Sequence, residues 1–285
     1  MADLVFLMNR KEPCTVEEFL CQDCKLSKRQ LTKLKHIKNG ITIQGKLARS
    51  IDIISFGQEI ILHFQDNKIL QANPNLQIDL IFEDEDLLVF NKPAGMPVHP
   101  SQRHYDDTLG NAFASQFPEL TFRPVNRLDK DTSGLVAVAK HALSASYLHK
   151  NIKKIYYAVV TGNLLDSGVI NKPIDRKSNS VIERCIADSG KPAVTHFQTL
   201  QRTEKYCFLQ LILETGRTHQ IRVHMASVGC SLAGDELYGG CMEDINRQAL
   251  HCGEFHYLDK YKKYHKIIAP IPEDMRILLE RKEKE

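Results

Sequence analysis

The sequence contains no tryptophan, and aromatic residues make up only 7% of its 285 residues. A glycoside hydrolase would need two facing carboxylates and a sugar groove rich in aromatic side chains, so this composition argues against that class. The chain also has no apolar stretch long enough to span a membrane, and an acid stands near its start where a signal peptide has bases. We therefore expect a cytoplasmic protein without membrane association.

The eight cysteines are scattered along the chain and do not form a regular framework. In a cytosolic chain of this size they are expected to stay reduced. Cys21 and Cys24 form a Cys-x-x-Cys pair with Cys14 nearby, and zinc sites use such pairs. A convincing zinc site needs a second close pair of ligands, and the sequence lacks one. We therefore predict no metal site.

Acidic residues are absent from one window, residues 25–49, which holds eight Lys and Arg side chains. The whole chain carries a net charge of +3, so a window of +8 leaves −5 for the remainder. A basic face beside a mildly acidic body indicates a polyanion-binding module, because phosphate contacts supply affinity through counterion release. The alternative is an ordinary solvated helix without a ligand. The candidate phosphate contacts within the window are Lys28, Arg29, Lys33 and Lys35.

The first 65 residues predict a small α/β domain. Capping boxes at Thr15–Glu18 and Ser27–Gln30 each precede apolar residues at helical spacing, which predicts two short helices. Asn39-Gly40 should close the second helix. Residues 41–43 then predict a strand that leads into a Gln44-Gly45 turn, and residues 56–62 predict another turn and strand.

Residues 66–77 are polar and contain an Asn-Pro-Asn segment, which predicts a linker. The remainder, residues 78–285, should form a second domain that opens with two strands around the acidic turn at 83–86. Thr218 is expected to cap a helix that runs to about Val228. Further strands are predicted at 135–139, 154–160 and 206–213, and a last helix at 272–284.

The stretch from Asn126 to Leu135 has the composition of a functional loop. Four charged residues run into Thr-Ser-Gly and then into an apolar run with the length and branching of a buried strand. Asp129 and Asp131 could be turn acceptors that bond the backbone ahead of that strand, which is the commoner role of such residues. Spacing alone leaves both interpretations open.

The motif Arg-Leu-Asp-x-x-Thr-Ser-Gly-Leu at 127–135 resembles the active-site motif of the RluA-type pseudouridine synthases, which isomerise uridine in ribosomal or transfer RNA. Similar segments cover essentially the whole chain. They are Asn-Lys-Pro-Ala-Gly at 91–95, Lys-x-Tyr-x-Ala at 154–158, Gly-Arg-Thr-His-Gln-Ile-Arg at 216–222 and Gly-Asp-x-x-Tyr-Gly at 234–239. Residues 13–64 loosely resemble the S-four fold, a small RNA-binding domain first known from a small-subunit ribosomal protein.

This resemblance implies an α+β fold, in which a mixed, mostly antiparallel sheet splits around a central cleft beside a small N-terminal α/β RNA-binding domain. It implies a reaction without a cofactor, in which the glycosidic bond of uridine breaks, the base rotates and a ring carbon is joined to the ribose. Structured RNA is the expected partner, with large-subunit ribosomal RNA favoured over transfer RNA. The active protein should be a monomer.

Asp129 is the catalytic carboxylate that the resemblance implies. A carboxylate that must stay ionised in a dry cleft needs a fixed cation nearby, and Arg222 is the predicted partner. Tyr156 would be core by strand pattern alone, but the family register places it in the pocket, stacked on a flipped uracil. Arg127 could fill the space that the flipped base leaves in the RNA stack. A catalytically silent RNA-binding protein would have lost Asp129, Tyr156 or Arg222, and none is lost. Whether Asp129 attacks the anomeric carbon, attacks the ring or abstracts a sugar proton remains open.

Several further residues receive weaker assignments. Arg217 is assigned to phosphate, and Lys92 is either loop decoration or a phosphate contact. His219 and His224 are five residues apart, so they do not share a helical face as metal ligands at i and i+4 would. We interpret both as hydrogen-bonding residues. Most family members carry His where this chain has Asn126, which weakens a proton-transfer role at that position while activity should survive.

Overall fold

Two hydrophobic cores organise the protein, seen here in a computed structural model that describes residues 2–64, 70–259 and 261–280. The smaller core is built from side chains between Met8 and Phe64, and the larger from side chains between Ile78 and Ala269. Residues 70–77 of the predicted linker contain neither helix nor strand, and its first four residues lie outside the described ones.

The N-terminal part consists of one four-stranded antiparallel sheet in the order β1-β6-β3-β4, a short β2–β5 pair and two helices. Its elements are β1 Ala2–Leu7, β2 Cys14–Thr15, α1 Val16–Gln22, α2 Lys28–Lys35, β3 Ile41–Ile43, β4 Lys46–Leu47, β5 Ile53–Ile54 and β6 Glu59–Phe64. The predicted helices and strands are therefore present, and β1, β2, β4 and β5 are additional strands.

Local chemistry explains where the two helices begin. The Thr15 side chain accepts a hydrogen bond from the Glu18 backbone N–H at 3.2 Å, and Ser27 and Gln30 form a complete capping box. The second helix ends at Lys35, before the predicted Asn39-Gly40 stop, and Asn39 supplies the left-handed turn that leads into β3 with a φ of 58°. Apolar side chains of α2 face the core, whereas all four of its predicted phosphate contacts are exposed.

The larger part is built on a nine-stranded sheet in the order β11-β14-β15-β10-β16-β9-β8-β7, with β17 paired to β16. Its elements are β7 Asp79–Glu83, β8 Leu87–Lys92, α3 Leu109–Gln116, β9 Ser133–Ala139, α4 Ala142–Asn151, β10 Lys153–Thr161, β11 Ser167–Asn171, β12 Ile174–Arg176, β13 Arg184–Ile186, β14 Val194–Arg202, β15 Tyr206–Leu213, α5 Gln220–Ala226, a 3₁₀ turn Glu236–Tyr238, β16 Leu250–Leu258, β17 Tyr264–Ile268 and α6 Glu273–Glu280.

The α+β class and the mixed, mostly antiparallel sheet are confirmed, since β16 and β9 pair in parallel and the other neighbouring strands are antiparallel. Strand β12 pairs with β13 as a separate hairpin. Helices α3 and α4 are additional to the predicted elements. The last helix ends at Glu280 within the described residues, and the remainder of its predicted range lies outside them. None of the described helices is long and apolar enough to cross a membrane.

Strand β9 places the loop that precedes it at the centre of the sheet. All seven of its residues are buried, and it runs between β8 and β16. Gly134 has a φ of +112°, and a Cβ there would lie 2.3 Å from the Cys252 carbonyl oxygen. Only glycine therefore allows β9 and β16 to approach directly after the loop.

Candidate active site

Asn126 fixes the loop that carries Asp129. Its side-chain amide donates to the Leu135 carbonyl at 3.1 Å, and its carbonyl oxygen accepts from the Ala137 backbone N–H at 2.9 Å. Both ends of the buried amide are thus used on the backbone of β9. The Thr132 backbone N–H donates to the Asp129 carbonyl at 3.1 Å and closes a turn. Asn126 is therefore a structural support of the loop in this chain.

Lys92 supports the same loop through hydrogen bonds to backbone carbonyls and does not face solvent. Its side chain is fully buried, and its ammonium donates to the carbonyls of Pro93, Met96 and Lys130 at 2.7, 2.7 and 3.0 Å. Burial lowers the pKa of Lys92 to about 7, and the carboxylate of Asp131 acts in the opposite direction. The prediction that Lys92 contacts phosphate is wrong, because its three protons are already used on loop carbonyls.

Arg222 connects two carboxylates at the start of α5. One of its terminal nitrogens, Nη1, lies 3.2 Å from Asp129 Oδ2, while Nε and Nη2 each lie 2.7 Å from a carboxylate oxygen of Asp235. The Asp235 side chain is 1% exposed, the Arg222 side chain 9% and the Asp129 side chain 29%. The guanidinium is therefore anchored by a buried partner and presented to a carboxylate that faces the cleft.

Electrostatics keep this guanidinium charged. Burial acts to lower the pKa of Arg222, but the hydrogen bonds and charge of Asp235, together with Asp129, outweigh it and raise the pKa. Arginine is the suitable cation for such a position, because its planar group binds one carboxylate in a bidentate manner and retains donors for another.

The start of α5 is fixed by Gln220 rather than by the predicted Thr218 cap. Residue 219 is the N-cap, with a left-handed φ of 55°, and its side chain makes no capping hydrogen bond. The Gln220 side chain instead accepts from the Arg217 backbone N–H at 2.9 Å and donates to the Val194 carbonyl at 3.0 Å. The helix also stops at Ala226, earlier than predicted. Tertiary contacts with β14 therefore position Arg222.

His219 and Tyr238 complete the surroundings of the pair. His219 Nε2 lies 3.7 Å from Asp129 Oδ2, and its Nδ1 lies 2.8 Å from the Tyr238 hydroxyl. The Tyr238 ring packs against the guanidinium of Arg222, with 5.0 Å between Cζ and the ring centroid. The same hydroxyl accepts the Arg184 backbone N–H at 2.9 Å. These contacts join α5, the 3₁₀ turn and the β12–β13 hairpin around the Asp129–Arg222 pair.

Tyr156 forms a wall of the pocket above Asp129. A cavity of about 70 Å³ is lined by Asp129, Tyr156, Arg222 and neighbouring residues. It shares Asp129 and Tyr156 with a larger groove of about 860 Å³. The tyrosine side chain is buried, and burial followed by the neighbouring Cys252 raises its pKa well above its usual value. Tyr156 therefore presents a neutral ring to the pocket.

Of the residues predicted from sequence, five meet at this pocket: Arg127, Asp129, Tyr156, Arg217 and Arg222. The exposed side chains of Arg127 and Arg217 also line the larger groove. The predicted contacts on α2, and Lys92, do not line either cavity. Asp235, Tyr238 and the proximity of His219 to Asp129 were not predicted. The Gly-Asp-x-x-Tyr-Gly segment at 234–239 was an available indication of the first two.

Across the described ranges, no group of three or more His, Cys, Asp or Glu side chains is arranged to hold a metal ion. His224, the second histidine of the motif, is fully buried and bonds to Thr195 Oγ1 at 2.9 Å and to the Lys172 carbonyl at 3.0 Å. Its interpretation as a hydrogen-bonding residue agrees with these contacts. At the pocket itself, the Asp129 carboxylate lies beside the guanidinium of Arg222.

Comparison with known proteins gives the family of this chain. The family model described as RNA pseudouridylate synthase matches residues 86–227. An uncharacterised RNA pseudouridine synthase of Bacillus subtilis, YjbO, is 36% identical over 93% of this chain and 98% of its own length. The ribosomal large subunit pseudouridine synthase D of Pseudomonas aeruginosa is 37% identical over 85% of this chain and 84% of its own.

A solved structure shows the same fold. Human RNA pseudouridylate synthase domain containing 1 superposes with a TM-score of 0.58 at 25% identity, covering 68% of this chain and 83% of the human one. The residues that the family model matches, 86–227, include the loop of Asp129 and the start of α5. The chain therefore belongs to the RNA pseudouridine synthases, isomerases that convert uridine in RNA to pseudouridine.

Proposed function

We propose that the protein isomerises a uridine of structured large-subunit ribosomal RNA, with Asp129 as the catalytic carboxylate. The observation that carries this proposal is the 3.2 Å contact between Asp129 Oδ2 and Arg222 Nη1 at the base of the groove. Support for the substrate comes from the Pseudomonas aeruginosa relative, which is named for the large ribosomal subunit and aligns with 85% of this chain.

The geometry explains how Asp129 can act in a sheltered pocket. Arg222 keeps its charge at any physiological pH, so the carboxylate always has a cation beside it. Asp235 holds that cation through two hydrogen bonds of 2.7 Å, so the guanidinium does not have to reorganise when the substrate arrives. Asp129 is the partly exposed member of the group and is the one that can reach a nucleotide in the groove.

A uridine inside a folded RNA has to leave its stack to reach this pocket, at a cost of about a few kcal/mol. Tyr156 stacks on the extruded uracil and recovers part of that cost. Arg127 is exposed at the edge of the groove, where its guanidinium fills the space that the base leaves. Arg217, also exposed there, binds a phosphate. Lys153 lines the same groove, is exposed and adds positive charge for the RNA backbone.

The N-terminal residues 1–65 form the RNA-binding domain of this proposal, resembling the S-four fold, and residues 78–285 form the catalytic domain. Support comes from α2, whose apolar side faces the smaller core and whose opposite side exposes four basic residues. Gln30 Nε2 donates to the Ala142 carbonyl at 2.8 Å, so α2 also touches the catalytic body.

The acting unit of the proposal is a monomer working in the cytoplasm. The proposed chemistry needs no residue from a second copy, because Asp129, Arg222 and Tyr156 line the pocket and Asp235 holds Arg222 within the same polypeptide. The cytoplasmic location follows from a ribosomal RNA substrate.

Mapping of pseudouridine in total RNA tests the substrate. RNA from cells with and without the gene is compared, and the wild-type gene is returned as a control. We expect one or a few sites of large-subunit ribosomal RNA to lose pseudouridine and to recover it on complementation. Loss confined to transfer RNA would contradict the substrate, and an unchanged map would contradict the function.

A further inference from the structure

His219 occupies an unusual backbone position beside the catalytic carboxylate. Its φ of 55° is left-handed, a region that residues with a Cβ seldom adopt. The side chain is 9% exposed, and its two ring nitrogens face different groups. Nδ1 lies 2.8 Å from the Tyr238 hydroxyl, and Nε2 lies 3.7 Å from Asp129 Oδ2. The ring therefore bridges Tyr238 and Asp129.

The hydrogen bonds of Tyr238 decide which nitrogen of His219 carries the proton. The hydroxyl oxygen accepts the Arg184 backbone N–H at 2.9 Å, and a backbone N–H can only donate. Within the described part of the chain, the remaining contact of the Tyr238 hydroxyl is His219 Nδ1. Donation to Nδ1 is the arrangement that gives the hydroxyl proton a partner among the described residues. A neutral imidazole with an accepting Nδ1 carries its proton on Nε2.

His219 is neutral in this environment. Burial lowers its pKa, the carboxylate of Asp129 acts in the opposite direction, and the guanidinium of Arg222 acts with burial. A lone pair on Nε2 would repel the Asp129 carboxylate, whereas an N–H at the same place is attracted to it. The tautomer therefore determines whether His219 supports or opposes the carboxylate.

The hydrogen-bond donors around Asp129 show what the Nε2–H of His219 can contribute. Arg222 donates to Oδ2, and no described residue donates a hydrogen bond to the Oδ1 oxygen. The 3.7 Å between His219 Nε2 and Oδ2 is too long for a hydrogen bond, but a shift of about 0.7 Å would make one. Two donors on Oδ2 would fix the carboxylate and leave Oδ1 facing the substrate.

Building on the catalytic role proposed for Asp129, we propose that Tyr238 holds His219 in the Nε2–H tautomer and that this N–H becomes the second donor to Asp129 Oδ2 when substrate is bound. His219 is then a positioning residue, acting through Asp129. Tyr238 has two roles, because its ring packs on the Arg222 guanidinium while its hydroxyl sets the tautomer. Tyr238→Phe removes the second role, together with the hydrogen bond from the Arg184 backbone N–H, and leaves the first.

A spectrum of the resting protein tests the tautomer directly. Long-range ¹H–¹⁵N correlation of protein with ¹⁵N-labelled histidine distinguishes a protonated from an unprotonated ring nitrogen. The His219 signals are identified by their absence from His219→Asn. We expect a protonated Nε2 and an unprotonated Nδ1 in the wild type, and a mixture of tautomers in Tyr238→Phe. A wild-type protein protonated on Nδ1 would overturn the proposal, whatever its activity.

The single-turnover rates of matched variants test whether the Nε2–H of His219 donates to Asp129. The amide nitrogen of Gln can occupy the position of Nε2, whereas the shorter Asn cannot reach it. We expect His219→Asn to lower the single-turnover rate by about 10- to 100-fold, the loss of one hydrogen bond to a charged group, with RNA affinity unchanged. His219→Gln should recover at least about threefold of that loss, and Tyr238→Phe should cost about three- to tenfold.

The order of the two His219 variants separates this role from a backbone role. Asn adopts the left-handed region more readily than Gln, so a purely conformational requirement at residue 219 predicts that Asn is the better substitute. A His219→Asn rate at or above that of His219→Gln would overturn the proposal. So would a loss of RNA affinity with an unchanged rate. Absence of pseudouridine formation by the wild type would refute the proposed function but leave the tautomer measurement intact.

Discussion

Asp235→Asn is the substitution that tests how the protein holds its cation. Asp235 accepts from Arg222 Nε and Nη2, both at 2.7 Å, and it is almost completely buried. Asn has a similar shape but keeps only one accepting oxygen, and its amide N–H group would face the second guanidinium N–H. The substitution therefore removes a charge and one of two hydrogen bonds at a buried position, with little change in volume.

The expected loss of stability follows from that burial. Removing one partner of a buried ion pair costs about 3–5 kcal/mol. Because Asn keeps one accepting oxygen, we expect a loss of about 3 kcal/mol in the free energy of unfolding. In a protein of this size about 1 kcal/mol shifts Tm by about 2–4 °C, so Tm should fall by about 6–12 °C. The guanidinium loses its fixed orientation as well. We expect the single-turnover rate to fall by about 100-fold, or about 2.7 kcal/mol of transition-state stabilisation.

The assay uses unmodified large-subunit ribosomal RNA that carries tritium at C5 of uridine, because tritium is released when the ring carbon joins the ribose. Asp166→Asn is the matched control, since Asp166 also pairs with an arginine, at 2.7 Å, but is 95% exposed. The control should change stability by less than about 1 kcal/mol and leave the rate within about twofold. Equal effects of the two substitutions, or a normal rate in Asp235→Asn, would refute the assignment of Asp235.

Three further predictions concern the loop support, pH and RNA binding. Lys92→Met leaves three buried carbonyls without a donor and should lower the free energy of unfolding by about 3 kcal/mol or more in chemical denaturation; a loss below about 1 kcal/mol would contradict the support role. Burial lowers the pKa of His251 to about 4, so its neutral form is favoured in the folded state. The contribution of neutral His251 to the free energy of unfolding is complete above about pH 6.5 and is lost as pH falls toward 4, about 3 kcal/mol in all. His251→Asn should lack this pH dependence in urea titrations. Replacing Lys28, Arg29, Lys33 and Lys35 together by Gln should flatten the plot of log affinity against log salt by up to about 3 while leaving the rate at saturating RNA unchanged, and an unchanged slope would show that α2 does not bind RNA.

The secondary-structure elements that the sequence predicted correctly are those determined by nearby residues. Strand β9 is a continuous apolar run, and α2 begins at a capping box followed by apolar residues at helical spacing, so neither depends on distant contacts. Helix α3 also begins at a capping box, formed by Thr108 and Asn111, but Asn at the third position is not the usual Glu or Gln. That box was not recognised, and the helix was missed.

The errors at the site have tertiary causes. The segment Asn-Lys-Pro-Ala-Gly does not reveal that the Lys92 ammonium meets a carbonyl of residue 130. Thr218 has the side chain of a helix cap, but bonds between Gln220 and β14 set the start of α5 one residue later. Asp235 lies 13 residues after Arg222, and no periodicity connects them. Motifs therefore indicated Asp129 and Arg222, and the segment at 234–239 contained Asp235, but the bond between Asp235 and Arg222 became visible only in the fold.

The measurement that tests the central claim most directly is the single-turnover rate of Asp129→Asn on the same tritiated RNA. The carboxylate is 29% exposed and its loss leaves no buried cation unpaired, because Arg222 keeps both bonds to Asp235. We predict no tritium release above the blank without enzyme, together with RNA affinity within about twofold of wild type. Release above that blank would contradict the assignment of Asp129 as the catalytic carboxylate.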